Sequence, residues 1–211
     1  MYIISKRSQV VFLCETRLNK RKAESIKNRL NMEGCITVES GQGSTGLMLL
    51  WKEEVSINLI AYSNIRIDVE VTTSIKSFRF TGVHAFSGHR TIKTWNLLDR
   101  IKSASRLPWL VGGDFDQILS QSEKIGGRRR GIREMEEFKE ALERNGLSDL
   151  KPDKGWITRY NKEEGNPIRE RLDRFTGNIE WINKFSDFRI VSDYSSHSDY
   201  HHLLIDTCGG A

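Results

Sequence analysis

Apolar runs that stop at a carboxylate set the strongest constraint on this chain. Val10-Val11-Phe12-Leu13-Cys14 ends at Glu15, and Trp109-Leu110-Val111-Gly112-Gly113 delivers Asp114. Short, continuous apolar runs of this kind predict strands, and the first predicts one buried on both faces. Asp173 lies inside the strand-like string Arg171-Leu172-Asp173-Arg174, and Asp199 precedes the last apolar run, Leu203-Leu204-Ile205. Carboxylates just past strand ends gather at one rim of a sheet stack. Their oxygens can hold a hard cation there and leave positions for water and phosphate. Each one taken singly also reads as a solvated turn residue, and spacing alone does not join them.

The remaining pattern is strand-rich. Three further strands are expected at Leu47–Trp51, Val55–Ala61 and Ile65–Val71, the last alternating as Ile65, Ile67, Val69 and Val71, and a fourth at Phe78–Val83. Helices are expected over 18–32, with Leu18, Ile26 and Leu30 on one stripe, over 91–104, and near 134–145 with Met135, Phe138 and Leu142 in register. Pro108 stops the second of these. Shorter elements follow at Gly155–Tyr160, Arg171–Phe175 and near 178–184. Helices fall between groups of strands, which predicts an α/β or α+β class. A length of 211 residues without repeats or a linker predicts a single domain over residues 1–211.

Composition narrows the chemistry. No run of about 18 apolar residues is present, so no transmembrane helix is expected and no membrane partner. Cys14, Cys35 and Cys208 show no paired spacing, which argues against zinc and a disulfide framework and for a reducing, intracellular setting. A net charge of +5 is compatible with a polyanionic partner. Lys124, Arg128, Arg129, Arg130 and Arg133, interleaved with Gly126, Gly127 and Gly131, make a basic loop beside Asp114. It reads either as a grip on a nucleic-acid backbone or as a solvated surface loop. The Gly41–Gly46 stretch lacks the lysine and spacing of a phosphate loop and reads as a turn. His197, His201 and His202 match no strong zinc pattern.

Five ordered strings carry a resemblance. They are Phe12-Leu13-Cys14-Glu15-Thr16-Arg17-Leu18, Gly112-Gly113-Asp114-Phe115-Asp116, Glu123-Lys124-Ile125-Gly126-Gly127, Arg169-Glu170-Arg171-Leu172-Asp173-Arg174, and Ser198-Asp199-Tyr200. Together they resemble the FLxETK, GDFN, EKxGG, RERLDR and SDH strings of the endonuclease/exonuclease/phosphatase family. The branch most resembled is the endonuclease domain of plant LINE-type, non-LTR retrotransposons. The resemblance implies an α/β, four-layer sandwich of two packed mixed sheets flanked by helices. It also implies Mg²⁺-dependent phosphodiester cleavage, with Mn²⁺ as the alternative ion, on DNA and in the nucleus. On the family pattern Glu15 and Asp199 hold the metal and Asp114 aligns and deprotonates water. Asp173 orients a histidine, and Lys124, Arg128, Arg129 and Arg130 contact nucleic acid. His84 falls where the family carries a tyrosine. Family members are usually fused to a reverse transcriptase, of which this chain has none.

Two departures fall on the chemistry. Asp116 replaces the family's asparagine, exchanging a hydrogen-bond donor for an acceptor-only carboxylate. Tyr200 replaces its histidine, and a phenol supplies no imidazolium near neutral pH. The neighbouring His201 would point to the opposite face of a strand. The family's opening WNxRG-like strand is also missing before Glu15. An unpaired sheet edge, low stability and a decayed copy of the element are therefore expected. The competing expectation is a non-catalytic nucleic-acid-binding protein that keeps the fold. A phosphomonoesterase or phospholipase of the same superfamily is the third.

Overall fold

The computed structural model describes residues 8–16, 20–39, 46–153, 155–161, 167–194 and 201–208. In chain order these form β1 (Val10–Cys14), α1 (Lys20–Arg29), β2 (Gly34–Val38), β3 (Leu47–Trp51), β4 (Ser56–Ser63), β5 (Arg66–Thr72) and β6 (Ser77–His84). After them come α2 (Thr91–Ile101), β7 (Trp109–Asp114), β8 (Lys124–Ile125), α3 (Ile132–Arg144), β9 (Leu147–Leu150) and β10 (Arg159–Asn161). The chain continues through β11 (Ile168–Glu170), β12 (Asp173–Asn178), α4 (Ile179–Lys184), β13 (Arg189–Tyr194) and β14 (His201–Asp206). The class is α/β, with several sheets flanked by helices, as the sequence predicts. The described residues pack as two compact units, 8–84 with 104–113 and 85–103 with 114–208.

The first unit is built on β3. Leu47, Met48, Leu49 and Leu50 are all buried, because β3 lies in the middle of the antiparallel order β1-β3-β2 and is covered on both faces. Met48 and Leu50 pack with Val11, Ala23 and Met32, so α1 closes one face through its apolar stripe. A second sheet, β4-β5-β6-β7, covers the other. Phe12 meets the edge of the Phe80 ring at 6.1 Å and fills the space where a side chain on Gly82 would stand. The expectation that β1 is buried on both faces is corrected. Within β1 only Val11 is buried, since among the described residues β1 pairs with β3 on one side alone.

A charged pair sits inside this unit. The Asp68 carboxylate takes Arg79 Nε at 2.9 Å and Nη2 at 2.7 Å, and Thr81 Oγ1 adds a third donor at 2.8 Å. Trp109 Nε1 donates to Thr81 Oγ1, and its ring lies under the Arg79 guanidinium. The donors come from β6, which pairs with β5, and from β7 on the far side of β6.

The second unit packs α2 against α3. Trp95 stacks on Phe138 at 4.6 Å, and Phe115 joins them at 5.4 Å from Phe138. β12 pairs with β9, β13 with β14, and β10-β11-β8 form a small antiparallel sheet. α4 is capped by Asn178, whose side-chain oxygen accepts from the Trp181 amide. β2, β8, β9, β11 and β13 escape the sequence pattern. In β9 the two buried leucines, Leu147 and Leu150, stand three apart around Ser148 and Asp149, which breaks the two-residue period.

Candidate active site

One acidic pair in the second unit is held in a turn. Asp114 ends β7, and its Oδ1 accepts the Asp116 amide at 2.7 Å, a side-chain-to-backbone turn of the kind aspartate favours. Between them Phe115 is buried in the aromatic stack, and its amide donates to the Leu172 carbonyl at 3.0 Å. The Asp114 carbonyl takes the Ala85 amide at 2.8 Å. Asp116 adopts a left-handed backbone, φ 47°. Asparagine and aspartate are the non-glycine residues that enter that region most readily. The Asn-to-Asp difference therefore preserves the turn and changes only the side chain.

The Asp116 carboxyl is pushed above its usual range, first by burial and then by the Asp114 charge, with Glu170 adding to it; Arg130 and Arg159 pull the other way. Asp173 opens β12. Its amide and that of Leu172 both donate to the buried Thr158 hydroxyl at 2.9 Å, which fixes the chain where the aspartate emerges.

Charged residues of the two flanking strings, to which the sequence assigns no role, hold this region together. Glu123 accepts from Leu119 N, Arg171 Nη1 and Arg174 Nη2 at 2.8–2.9 Å. Arg171 also forks onto Asp149 at 2.7 and 3.0 Å, and Arg174 donates to the Gln117 and Arg171 carbonyls. Burial raises the Glu123 carboxyl, but the Arg174 guanidinium, the Leu119 amide and Arg171 outweigh it and hold it below the ordinary range. Glu170 behaves alike: burial raises it, and hydrogen bonds from Lys124 and Arg130 bring it below. The nearest signal in the sequence is the alternation of charge in Arg169-Glu170-Arg171-Leu172-Asp173-Arg174, which does not name the partners.

The basic loop divides in two. Lys124 Nζ is buried against Glu170 Oε1 at 2.7 Å, and Arg130 Nε reaches the same oxygen at 3.1 Å. Arg128 and Arg129 are exposed. Lys124 is therefore committed to an ion pair inside the unit, whereas Arg128 and Arg129 face solvent.

In the first unit, Glu15 follows β1 with φ 55°, a left-handed conformation uncommon for glutamate. Its Oε1 stands 4.0 Å from Nε2 of His84 at the end of β6. Gly113 is needed nearby: its φ is +136°, and a side chain there would run into the Val83 carbonyl. Asp199 and Tyr200 lie outside the described residues.

Among the described residues no three His, Cys, Asp or Glu side chains converge on one point. The donor chemistry nevertheless fits a hard divalent cation. The acidic groups offer oxygens, and the mutual repulsion of Asp114 and Asp116 is the kind a cation relieves. No described helix is long and apolar enough to cross a membrane.

No family model and no curated protein matches the chain. Solved structures do. The endonuclease domain of TRAS1, a telomere-specific non-LTR retrotransposon, is 13% identical with a TM-score of 0.66, covering 94% of this chain and 98% of that one. Truncated Caenorhabditis elegans TDP2 is 12% identical with a TM-score of 0.59, covering 94% and 83%. The human Nocturnin catalytic domain with bound sulfate is 14% identical with a TM-score of 0.55, covering 95% and 82%. The likeness is one of fold: this chain has the endonuclease/exonuclease/phosphatase fold.

Proposed function

We propose that the chain is a divalent-metal-dependent phosphodiesterase that nicks DNA, of the LINE retrotransposon endonuclease type, with activity weakened or lost in this copy. The observation that carries the reading is the Asp114-Phe115-Asp116 turn, locked at the end of β7 with its two carboxylates close enough to repel. The fold it shares with the TRAS1 endonuclease domain supports the reading. So does zebrafish (D. rerio) TDP2, which was solved with a single-strand DNA product and is 16% identical with a TM-score of 0.55.

Asp114 accepts a proton from the attacking water and sets its line of approach, and Asp173 takes the orienting role that the family pattern gives it. Glu15 and Asp199 are the residues that would hold Mg²⁺. The ion, when bound, supplies charge stabilisation at the phosphate oxygens. Exposed Arg128 and Arg129 grip the DNA backbone. Ionised Asp116 repels the phosphate where an asparagine would donate, which lowers the rate.

The test is nicking of supercoiled plasmid by the folded chain with Mg²⁺, with EDTA, and by Glu15→Gln. Metal-dependent nicking that disappears in the variant supports the reading, and a chain whose activity is lost should regain it in Asp116→Asn combined with Tyr200→His. No nicking by Asp116→Asn combined with Tyr200→His would refute the catalytic reading. It would leave a DNA-binding protein without catalysis, the second reading, which Asp116 itself favours.

A further inference from the structure

One row of the small sheet β10-β11-β8 is charged from end to end. Register places Arg159 opposite Glu170, and Glu170 opposite Lys124. Side chains at directly paired positions share a face of the sheet. Glu170 sits in the middle and is buried, and its Oε1 already takes both Lys124 and Arg130. Two cations thus answer one carboxylate. Arg159, the other cation of the row, is exposed, and its charge, like that of Arg130, draws the Asp116 carboxyl downward against its burial. Arg130 is itself anchored, its amide bonded to Gln121 Oε1 at 3.2 Å.

We propose that Arg159 and Arg130 form a phosphate-binding pair beside the Asp114-Phe115-Asp116 turn, engaging a phosphate of the bound DNA strand. The proposal deepens the nuclease reading and rests on it for the identity of the ligand. A guanidinium presents a planar fork of donors that matches a phosphate and stays charged at any working pH. Asp116 offers no donor at this place, so Arg159 supplies the hydrogen bonds that an asparagine at 116 would otherwise give. The geometry divides the labour. Arg130, tied to Glu170 and Gln121, is pre-positioned, and Arg159, reachable from solvent, closes on the ligand. An isolated surface arginine would have neither the anchored partner nor the adjacent carboxylate.

The experiment reads binding and not cleavage. Fluorescence anisotropy of a labelled duplex with the full chain in EDTA, over a series of KCl concentrations, gives the slope of log K against log salt. Loss of one phosphate contact lowers the magnitude of that slope by about 0.9. Arg159→Gln is expected to show this fall and Arg159→Lys to restore most of it. Arg100→Gln, an exposed cation in the last turn of α2, is expected to leave the slope unchanged. Asp116→Asn should tighten binding more in the wild-type background than beside Arg159→Gln. A folded Arg159→Gln chain with an unaltered slope overturns the pair and leaves the nuclease reading standing, as does an equal fall in Arg100→Gln. An Arg159-dependent slope in a chain that never nicks plasmid keeps the pair and removes the hydrolase. A wild-type chain that binds no duplex overturns both.

Discussion

Replacing Glu123 with glutamine should cost the chain far more than any surface charge. Its carboxylate is the shared acceptor for Arg171 and Arg174, whose side chains are 3% and 0% exposed, against 14% for Glu123 itself. Glutamine removes the negative charge and leaves two buried guanidinium groups facing an amide. Breaking one partner out of a buried ion cluster costs about 3–5 kcal/mol. Asp149 still answers part of the arginine charge, which places the expected loss near the lower end, at about 3 kcal/mol. For a chain of this size each kcal/mol moves the melting temperature by about 2–4 °C, so Glu123→Gln should melt about 6–12 °C lower. The comparison is Glu137→Gln, whose partner Arg133 is 91% exposed and where a change of about 0.5 kcal/mol or less is expected. The pH dependence gives a second handle. The Glu123 carboxyl lies below its ordinary value near 4.5 in the folded chain. Its contribution is therefore whole above that pH and is lost as pH falls through the lower folded value. Wild type should lose stability on acidification, and the variant should lack that part of the loss. Equal melting temperatures for Glu123→Gln and Glu137→Gln at neutral pH would refute the reasoning.

Two further outcomes follow from buried charge. Asp116 is raised above its ordinary value near 3.8. Ionising it therefore costs stability that grows as pH rises from that value through the folded one. Asp116→Asn should then melt higher than wild type at neutral pH, with the gain vanishing below the ordinary value, and should raise any plasmid nicking by about tenfold or more, within the range of a positioned polar group. In the first unit, Asp68→Ala leaves Arg79 buried without its carboxylate and should cost about 3–5 kcal/mol by urea denaturation, whereas replacing the pair together by Leu and Met should be nearly neutral. A double variant as damaged as the single one would contradict this.

The elements with a clean local period were legible. Leu47–Trp51 and the strand beginning at Trp109 coincide with β3 and β7, and Met135, Phe138 and Leu142 mark the buried face of α3. Val55–Ala61 and Ile65–Val71 reappear as β4 and β5, shifted by one or two residues at their ends. β1 was placed correctly but misjudged in depth, because an apolar run reports what a strand can bury and not how many neighbours cover it. In β5 the alternation of Ile67, Val69 and Val71 points Asp68 towards solvent, yet Asp68 is buried, since Arg79 and Thr81 of the next strand approach the same face. Of the candidate site residues, Asp114 ends β7 as its string suggests, whereas Asp173, read as lying inside a strand, opens β12, and Lys124 looks like a free cation and is an internal partner of Glu170.

What the sequence determined by itself is local: the class, most strands and helices, and the carboxylates at their ends. Each of these follows from side-chain period and turn chemistry within a few residues. Only the tertiary structure decided which charges are internal. Glu123 finds its arginines 48 and 51 residues away, and Lys124 finds Glu170 46 residues away. A charged side chain carries the same local signature whether water or a distant guanidinium will answer it. Desolvation makes the second case binding, because once the chain has closed around these groups each must keep the partner it met.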